Sequence, residues 1–209
     1  MHISIAGNIG AGKTTLTGML ASHYQWKPHY GDVDDNPYLD NFYNDMSRWA
    51  FHLQVYFLGH RLKKLKLLQN SKENIIQDRT IYEDAYIFAA NLYGMGLLDS
   101  RDYATYKSLF ETMQSFIEAP RLLIYLRASI VTLLEQIHKR GRVYEKSINE
   151  DYLIHLNERY EAWIKNYNAG PLLIIDVDAI NFVENPDHFH IILRRIDREI
   201  FSKKLKKTS

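Results

Sequence analysis

The chain has 209 residues, 46% of them hydrophobic and 24% charged, with a formal net charge of +1 and no cysteine. That is the composition of one ordinary globular domain; it excludes disulfides, thiolate metal sites and a thiol nucleophile, and its balanced charge argues against nucleic acid or an anionic membrane as partner. The first residues lack the basic and long apolar regions of a signal peptide, and no uncharged apolar run approaches the roughly 18 residues that span a bilayer, so the cytoplasm is the expected location.

Short apolar strands alternate with longer helical patterns. Strands are expected at 2–6 (HISIA), 27–33 (KPHYGDV), 74–78 (NIIQD), 121–126 (RLLIYL) and 171–176 (PLLIID). Runs so nearly unbroken in apolar side chains suit parallel strands covered on both faces, so the predicted class is α/β, a five-stranded parallel sheet flanked by helices. Between the second and third strands Trp49, Leu53, Phe57 and the stem of Arg61 recur every four residues, which predicts a long helix whose stripe is mostly core. Further helices are expected at 81–93, 103–117, 130–140 and 150–167, with Gly94 and Gly96 as stops. No repeat or linker divides residues 1–209, and the terminal KKLKKTS, 203–209, reads as a flexible, solvated tail.

The strongest local signal is GNIGAGKT at 7–14, which fits G-x-x-x-x-G-K-[ST] between a strand and a helical pattern. In such a P-loop the backbone of Gly7, Asn8, Ile9, Gly10, Ala11 and Gly12 turns its N–H groups toward one phosphate, and the helix that opens at Lys13, Thr14 and Thr15 adds its positive end. Lys13 is then expected at the β- and γ-oxygens of ATP, and the Thr14 hydroxyl on Mg²⁺. Neither D-x-x-G nor N-K-x-D, the further strings of a switch GTPase, occurs.

NIIQDRT places Asp78 at the end of a buried strand, where open α/β sheets collect ligands. Asp78 there suits a Mg²⁺ shell or an attacking hydroxyl, and Arg79 suits the charge that develops in phosphoryl transfer. KRGRVYEKS at 139–147 packs basic side chains around a glycine, as a lid closing over ATP would. Each has a plainer reading: a helix cap for Asp78, an exposed basic loop for 139–147.

Taken in order, GNIGAGKTT, NPYLDNFYNDMSRWAFHLQVYFLGHR, QDRTIYEDAYIFAANLYG and KRGRVYEKSI resemble the deoxyribonucleoside kinases related to deoxycytidine, deoxyguanosine and bacterial deoxyadenosine kinases. The resemblance spans nearly the whole chain. It implies that Gln54 and Arg61 face the nucleobase together with Asp84, that Tyr43 and Glu145 reach the sugar 3′-hydroxyl, and that Arg140 and Arg142 of the lid hold phosphates. It also implies a homodimer, for which the aromatic-rich segment 49–57 offers an apolar face.

The chain departs from that pattern at HYGDVDDNPYL, 29–39. Members similar to this one carry, in a pattern like E-x-V-x-x-N-P, a glutamate that takes the 5′-hydroxyl proton; anchoring on Val33, Asn36 and Pro37 puts Gly31 there instead. Asp32 is the first substitute, through a local shift that Gly31 allows, and Asp78 the second, while Asp34 and Asp35 suit turn formation and capping. Gln136 stands where some relatives have another lid arginine.

The expected function is therefore transfer of the ATP γ-phosphoryl group, with Mg²⁺, to the 5′-hydroxyl of a deoxynucleoside, deoxyadenosine before deoxyguanosine or deoxycytidine. A nucleoside monophosphate kinase would need extra cations, for which Arg48 and Arg61 are the nearby candidates. An ATP-binding regulator without catalysis is kept in view by the missing glutamate.

Overall fold

In the computed structural model the described residues are 1–31, 36–69, 72–142, 145 and 148–201. Five parallel strands form one sheet in the order β2, β3, β1, β4, β5, with β1 (His2–Gly7) at its centre. Beside it run β3 (Ile75–Asp78), with Ile5 opposite Asp78, and β4 (Leu122–Arg127), with Ile3 opposite Leu122. The outer strands are β2 (Lys27–His29) and β5 (Leu172–Asp176).

Alternation along the strands separates two cores. Ile3 and Ile5 of β1 with Ile124 and Leu126 of β4 face α1 (Lys13–Tyr24), α7 (Ile130–Arg140) and α9 (Pro186–Phe201), where Leu16, Leu20, Leu133, Ile192 and Ile196 are fully buried. Ala6, Leu123 and Tyr125 face the other way, onto α2 (Leu39–Asn44), α3 (Met46–Gln69) and α8 (Glu150–Lys165). The helical patterns at 81–93 and 103–117 become a run from Ile81 to Gly94 and α6 (Ser100–Gln114), which close the same side over Ile75.

The expected strand 27–33 stops at His29. Its neighbour among the described strands is β3, and the last pair in register is His29 with Gln77, one pair short of Asp78, where β3 ends; the last two positions of the expected strand, 32–33, lie outside the described residues. The helix expected at 81–93 is not uniform either: α4 (Ile81–Glu83) widens into a π-helical stretch (Asp84–Ala89) before α5 (Ala90–Gly94). The wider turn keeps Ala85 and Ala89 in the core while Asp84 and Phe88 line a cavity, the kind of place where π-turns recur. Helix α6 opens three residues before the expected 103 because Asp99 accepts the Asp102 N–H at 2.8 Å as its N-cap. Helix α9 was not among the expected helices, although Pro186 at the first helical position and Phe189, Ile192, Leu193, Ile196 and Ile200 at a 3.6-residue period mark it. Gly96 has φ of +71° and ends the run at 94 as expected. No described helix is long and apolar enough to cross a membrane. The tail 203–209 lies outside the described residues.

Candidate active site

The phosphate loop leaves β1 at Gly7 and enters α1 at Lys13. Gly10 and Gly12 have φ of +88° and +87°, a left-handed conformation costly to any residue with a Cβ. At Gly10 a Cβ would also stand 2.7 Å from the Leu133 carbonyl oxygen. Lys13 is buried, and its ammonium donates to the carbonyls of Gly7 at 2.8 Å and Asn8 at 2.9 Å. Burial and the neighbouring Arg79 push Lys13 down to about 8, against the pull of Asp78. Asn8 braces the loop from behind: its amide donates to the Leu153 carbonyl and to Asn157 on α8, and its oxygen accepts the Ile9 N–H. Ile9, Gly10, Lys13 and Thr14 line the cavity, Gly7, Ala11 and Gly12 frame the loop, and Thr15 stands exposed on α1.

Asp78 closes β3 beside this loop and accepts a hydrogen bond from the Thr14 hydroxyl at 2.5 Å. An aspartate and a hydroxyl side by side at a phosphate loop fit Mg²⁺, which takes hard oxygen donors, one or two carboxylates among them, and fills the rest with phosphate oxygens and water. Arg79 follows in a left-handed conformation, φ +69°, rare for a non-glycine residue, with its guanidinium 4.3 Å from the centre of the Phe88 ring.

Asp78 and Arg79 open onto a cavity of about 310 Å³ that Gln54, Arg61 and Asp84 also line. These three are 2%, 7% and 1% exposed, so none is the solvent-facing residue its chemistry alone would suggest. Arg61 donates through Nε to Asp84 Oδ2. Burial pushes Asp84 above the usual carboxylate range, and the charges of Arg61 and Arg79 pull it back. The Gln54 Oε1 accepts no hydrogen bond among the described residues. A carboxamide edge and a fixed ion pair thus sit among Leu53, Phe57 and Phe88, an apolar slot with few, placed polar groups. The stripe is core as expected, Leu53 buried with Trp49 and Phe57 packed against the same cluster, and Leu53, Phe57 and Arg61 also line the cavity, while Trp49 packs against the rings of Tyr38 and His52. Tyr43 lines the same cavity.

The lid residues close the remaining side. Glu145 is 5% exposed; Arg140 donates to it through two nitrogens, one at 3.0 Å, and Arg142 stands 3.7 Å away. The glutamate that resemblance assigns to a sugar is here paired with the arginines assigned to phosphates. Gln136 is exposed on α7, and Arg48 is exposed on α3 with its guanidinium 5.4 Å from the Trp49 ring, away from the cavity.

Residues 3–202 match the deoxynucleoside kinase family. The chain belongs to that family. A deoxyadenosine/deoxycytidine kinase of Bacillus subtilis is 39% identical over 93% of this chain and 90% of its own length, and a deoxyadenosine kinase of Lactobacillus acidophilus is 38% identical over 95% of both. The solved structure of a deoxyadenosine kinase from M. mycoides with dCMP and a flexible dCDP superposes with a TM-score of 0.85 at 31% identity, covering 94% of this chain and 99% of that one; its form with dATP gives 0.83 at 32%.

In this deoxynucleoside kinase Gly31 stands at the cavity wall, and a Cβ built there would lie 3.6 Å from the Asp78 carbonyl oxygen and 3.9 Å from an Arg61 guanidinium nitrogen, both ordinary contacts. Asp32, with Asp34 and Asp35, lies outside the described residues. Sequence reasoning missed Phe88 and Tyr152, which also line the cavity, because apolar periodicity does not distinguish a cavity wall from a filled core. It also missed Glu83, although Thr-x-x-Glu at 80–83 is a capping-box string; both reciprocal bonds of that box form.

Proposed function

We propose that this kinase transfers the γ-phosphoryl group of ATP to the 5′-hydroxyl of a deoxyribonucleoside, deoxyadenosine first, with deoxyguanosine and deoxycytidine as further acceptors. The observation that carries this is convergence: one cavity is lined by the phosphate loop, by Asp78 and Arg79, and by the Gln54, Arg61 and Asp84 group. The substrates in the relatives' names favour the same acceptors.

In this reading Gln54 offers donor and acceptor to a base edge while the Arg61–Asp84 pair reads the neighbouring exocyclic group. Tyr43 and Glu145 hold the sugar. Lys13 and the loop hold the β- and γ-phosphates, and Arg79, Arg140 and Arg142 neutralise charge that spreads over the transferring group. Thr14 and Asp78 would hold Mg²⁺, which when bound screens the phosphate charge. The proton of the 5′-hydroxyl goes to Asp32, or to Asp78 in its stead. Catalysis is positioning plus charge stabilisation, as phosphoryl transfer needs little else from a protein. A cytoplasmic homodimer belongs to the same reading, supported by the partly exposed Phe51 and Tyr56 on α3.

A nucleoside monophosphate acceptor is disfavoured by Arg48, which stands away from the cavity, and by Arg61, which Asp84 already engages. An assay of Mg²⁺ and ATP against the four deoxynucleosides and their 5′-monophosphates tests the proposal. Turnover on nucleosides alone is expected. Turnover on monophosphates would replace it with the second reading, and ATP binding without any turnover would make the chain a regulator.

A further inference from the structure

Glu83 is fully buried, 0% exposed, yet lines no part of the cavity. Four donors converge on its carboxylate. Oε2 accepts the Thr80 N–H at 2.6 Å and the Thr80 hydroxyl at 3.1 Å; Oε1 accepts the Gly7 N–H at 3.3 Å and the Tyr160 hydroxyl at 2.8 Å. The Oε2 bonds are what a helix cap requires. The Oε1 bonds are not, because they reach the first residue of the phosphate loop and the middle of α8, the helix that follows the lid.

The segment between these anchors is the turn that carries the reacting groups. Asp78 is the last residue of β3, Arg79 is left-handed, and Thr80 caps α4. A non-glycine residue at φ +69° persists only where its surroundings over-determine it. Two clamps do so: the Arg79 N–H donates to the Ile5 carbonyl at 2.9 Å, and both polar groups of Thr80 are held by Glu83. Burial pushes Glu83 upward, while the charges of Arg79 and Lys13 pull it down, so the carboxylate is also the interior counter-charge of two phosphate-handling cations. Such a group is costly to bury for the sake of one cap on a three-residue helix.

We propose that Glu83 is a positioning residue: it holds the left-handed turn bearing Asp78 and Arg79 in register with the phosphate loop at Gly7 and with α8 at Tyr160. Its action is through those groups, and the inference rests on the kinase reading above. Glu83→Gln keeps the shape but turns one acceptor oxygen into a donor; the hydroxyl there can turn and accept, but the backbone N–H of Gly7 or of Thr80 loses its acceptor.

The test compares the full-length wild type with Glu83→Gln, Tyr160→Phe, Thr80→Val and Thr80→Ser, measuring kcat together with ATP and deoxyadenosine affinities by calorimetric titration. Glu83→Gln is expected to lower kcat by about 10- to 100-fold and weaken ATP binding about 10-fold, with deoxyadenosine affinity held within about 3-fold, as misplacement on the order of 1 Å would do. Thr80→Ser is expected to recover most of what Thr80→Val loses. A folded Glu83→Gln variant with wild-type kcat and ATP affinity would overturn the proposal, and so would equal losses for both ligands, which mark a merely structural role. If Glu83→Gln does not fold, the single-bond variants decide: reduced kcat in Tyr160→Phe and Thr80→Val supports the clamp, and unaltered kcat refutes it. A wild type that phosphorylates nothing would defeat the kinase reading alone, and the ATP affinities would still judge Glu83.

Discussion

Arg61 and Asp84 neutralise each other inside the protein, the guanidinium Nε donating to a carboxylate oxygen on side chains 8% and 2% exposed. Breaking such a pair leaves a buried charge without its counter-charge, at a cost of about 3–5 kcal/mol, whereas replacing both partners with apolar residues of similar volume is often neutral or stabilising. Asp84→Asn should therefore melt earlier, by about 2–4 °C per kcal/mol for a chain of this size. Arg61→Met combined with Asp84→Leu should recover much of that stability and none of the turnover. Thermal melts beside initial rates check this; a double variant no more stable than the single one would count against the pair.

Gln54 separates recognition from stability. Its Oε1 is buried without a partner among the described residues, a situation that costs about 1–3 kcal/mol, so Gln54→Leu should fold at least as stably as the wild type. If the carboxamide reads the base, kcat/KM for deoxyadenosine should nevertheless fall about 10- to 100-fold, tenfold for roughly each 1.4 kcal/mol of hydrogen bonding lost. Loss of stability without loss of kcat/KM would assign Gln54 to the scaffold.

Gly31 leaves room for the carboxylate that similar kinases carry. A Cβ there meets its neighbours at 3.6 Å or more, and its φ is not left-handed, so Gly31→Glu should fold without strain. A positioned general base is worth on the order of 10²–10⁴-fold, and part of that gain should appear in kcat for Gly31→Glu and be absent in Gly31→Gln. Equal rates in the two variants would show that the position does not reach the hydroxyl.

The pH profile should carry the signature of Lys13. Its ammonium is held down to about 8, so the free enzyme loses that charge as pH rises through about 8, and kcat/KM for ATP should fall over the same range. Bound phosphates favour the ammonium, so kcat at saturating ATP should hold to higher pH. Initial rates between about pH 6 and 10 separate the two, and coincident alkaline limbs would contradict this assignment of the lysine.

The parts of the site legible in the sequence are those set by local spacing. The phosphate loop needs only glycines, a lysine and a threonine at fixed intervals after a strand, and Asp78 needs only a strand end. Gln54, Arg61 and Asp84 were legible by resemblance alone, since nothing in helical periodicity says that a stripe through Leu53 and Phe57 faces a cavity. That β2 stops at His29, one pair short of the end of β3, and that Glu83 reaches Gly7 and Tyr160 across 76 and 77 residues leave no local trace. The π-helical stretch that delivers Asp84 and Phe88 packs likewise against α8, α3 and α6, elements distant in the chain.

The most direct measurement is product analysis after mixing the wild type with Mg²⁺, ATP and deoxyadenosine, resolving 5′- from 3′-monophosphate, beside Asp32→Asn and Asp78→Asn. The account predicts 5′-dAMP from the wild type and a fall in kcat of about 100-fold or more where the proton acceptor is lost, with the KM for deoxyadenosine little changed. ATP binding with no 5′-monophosphate formed from deoxyadenosine or from any other deoxynucleoside would contradict it.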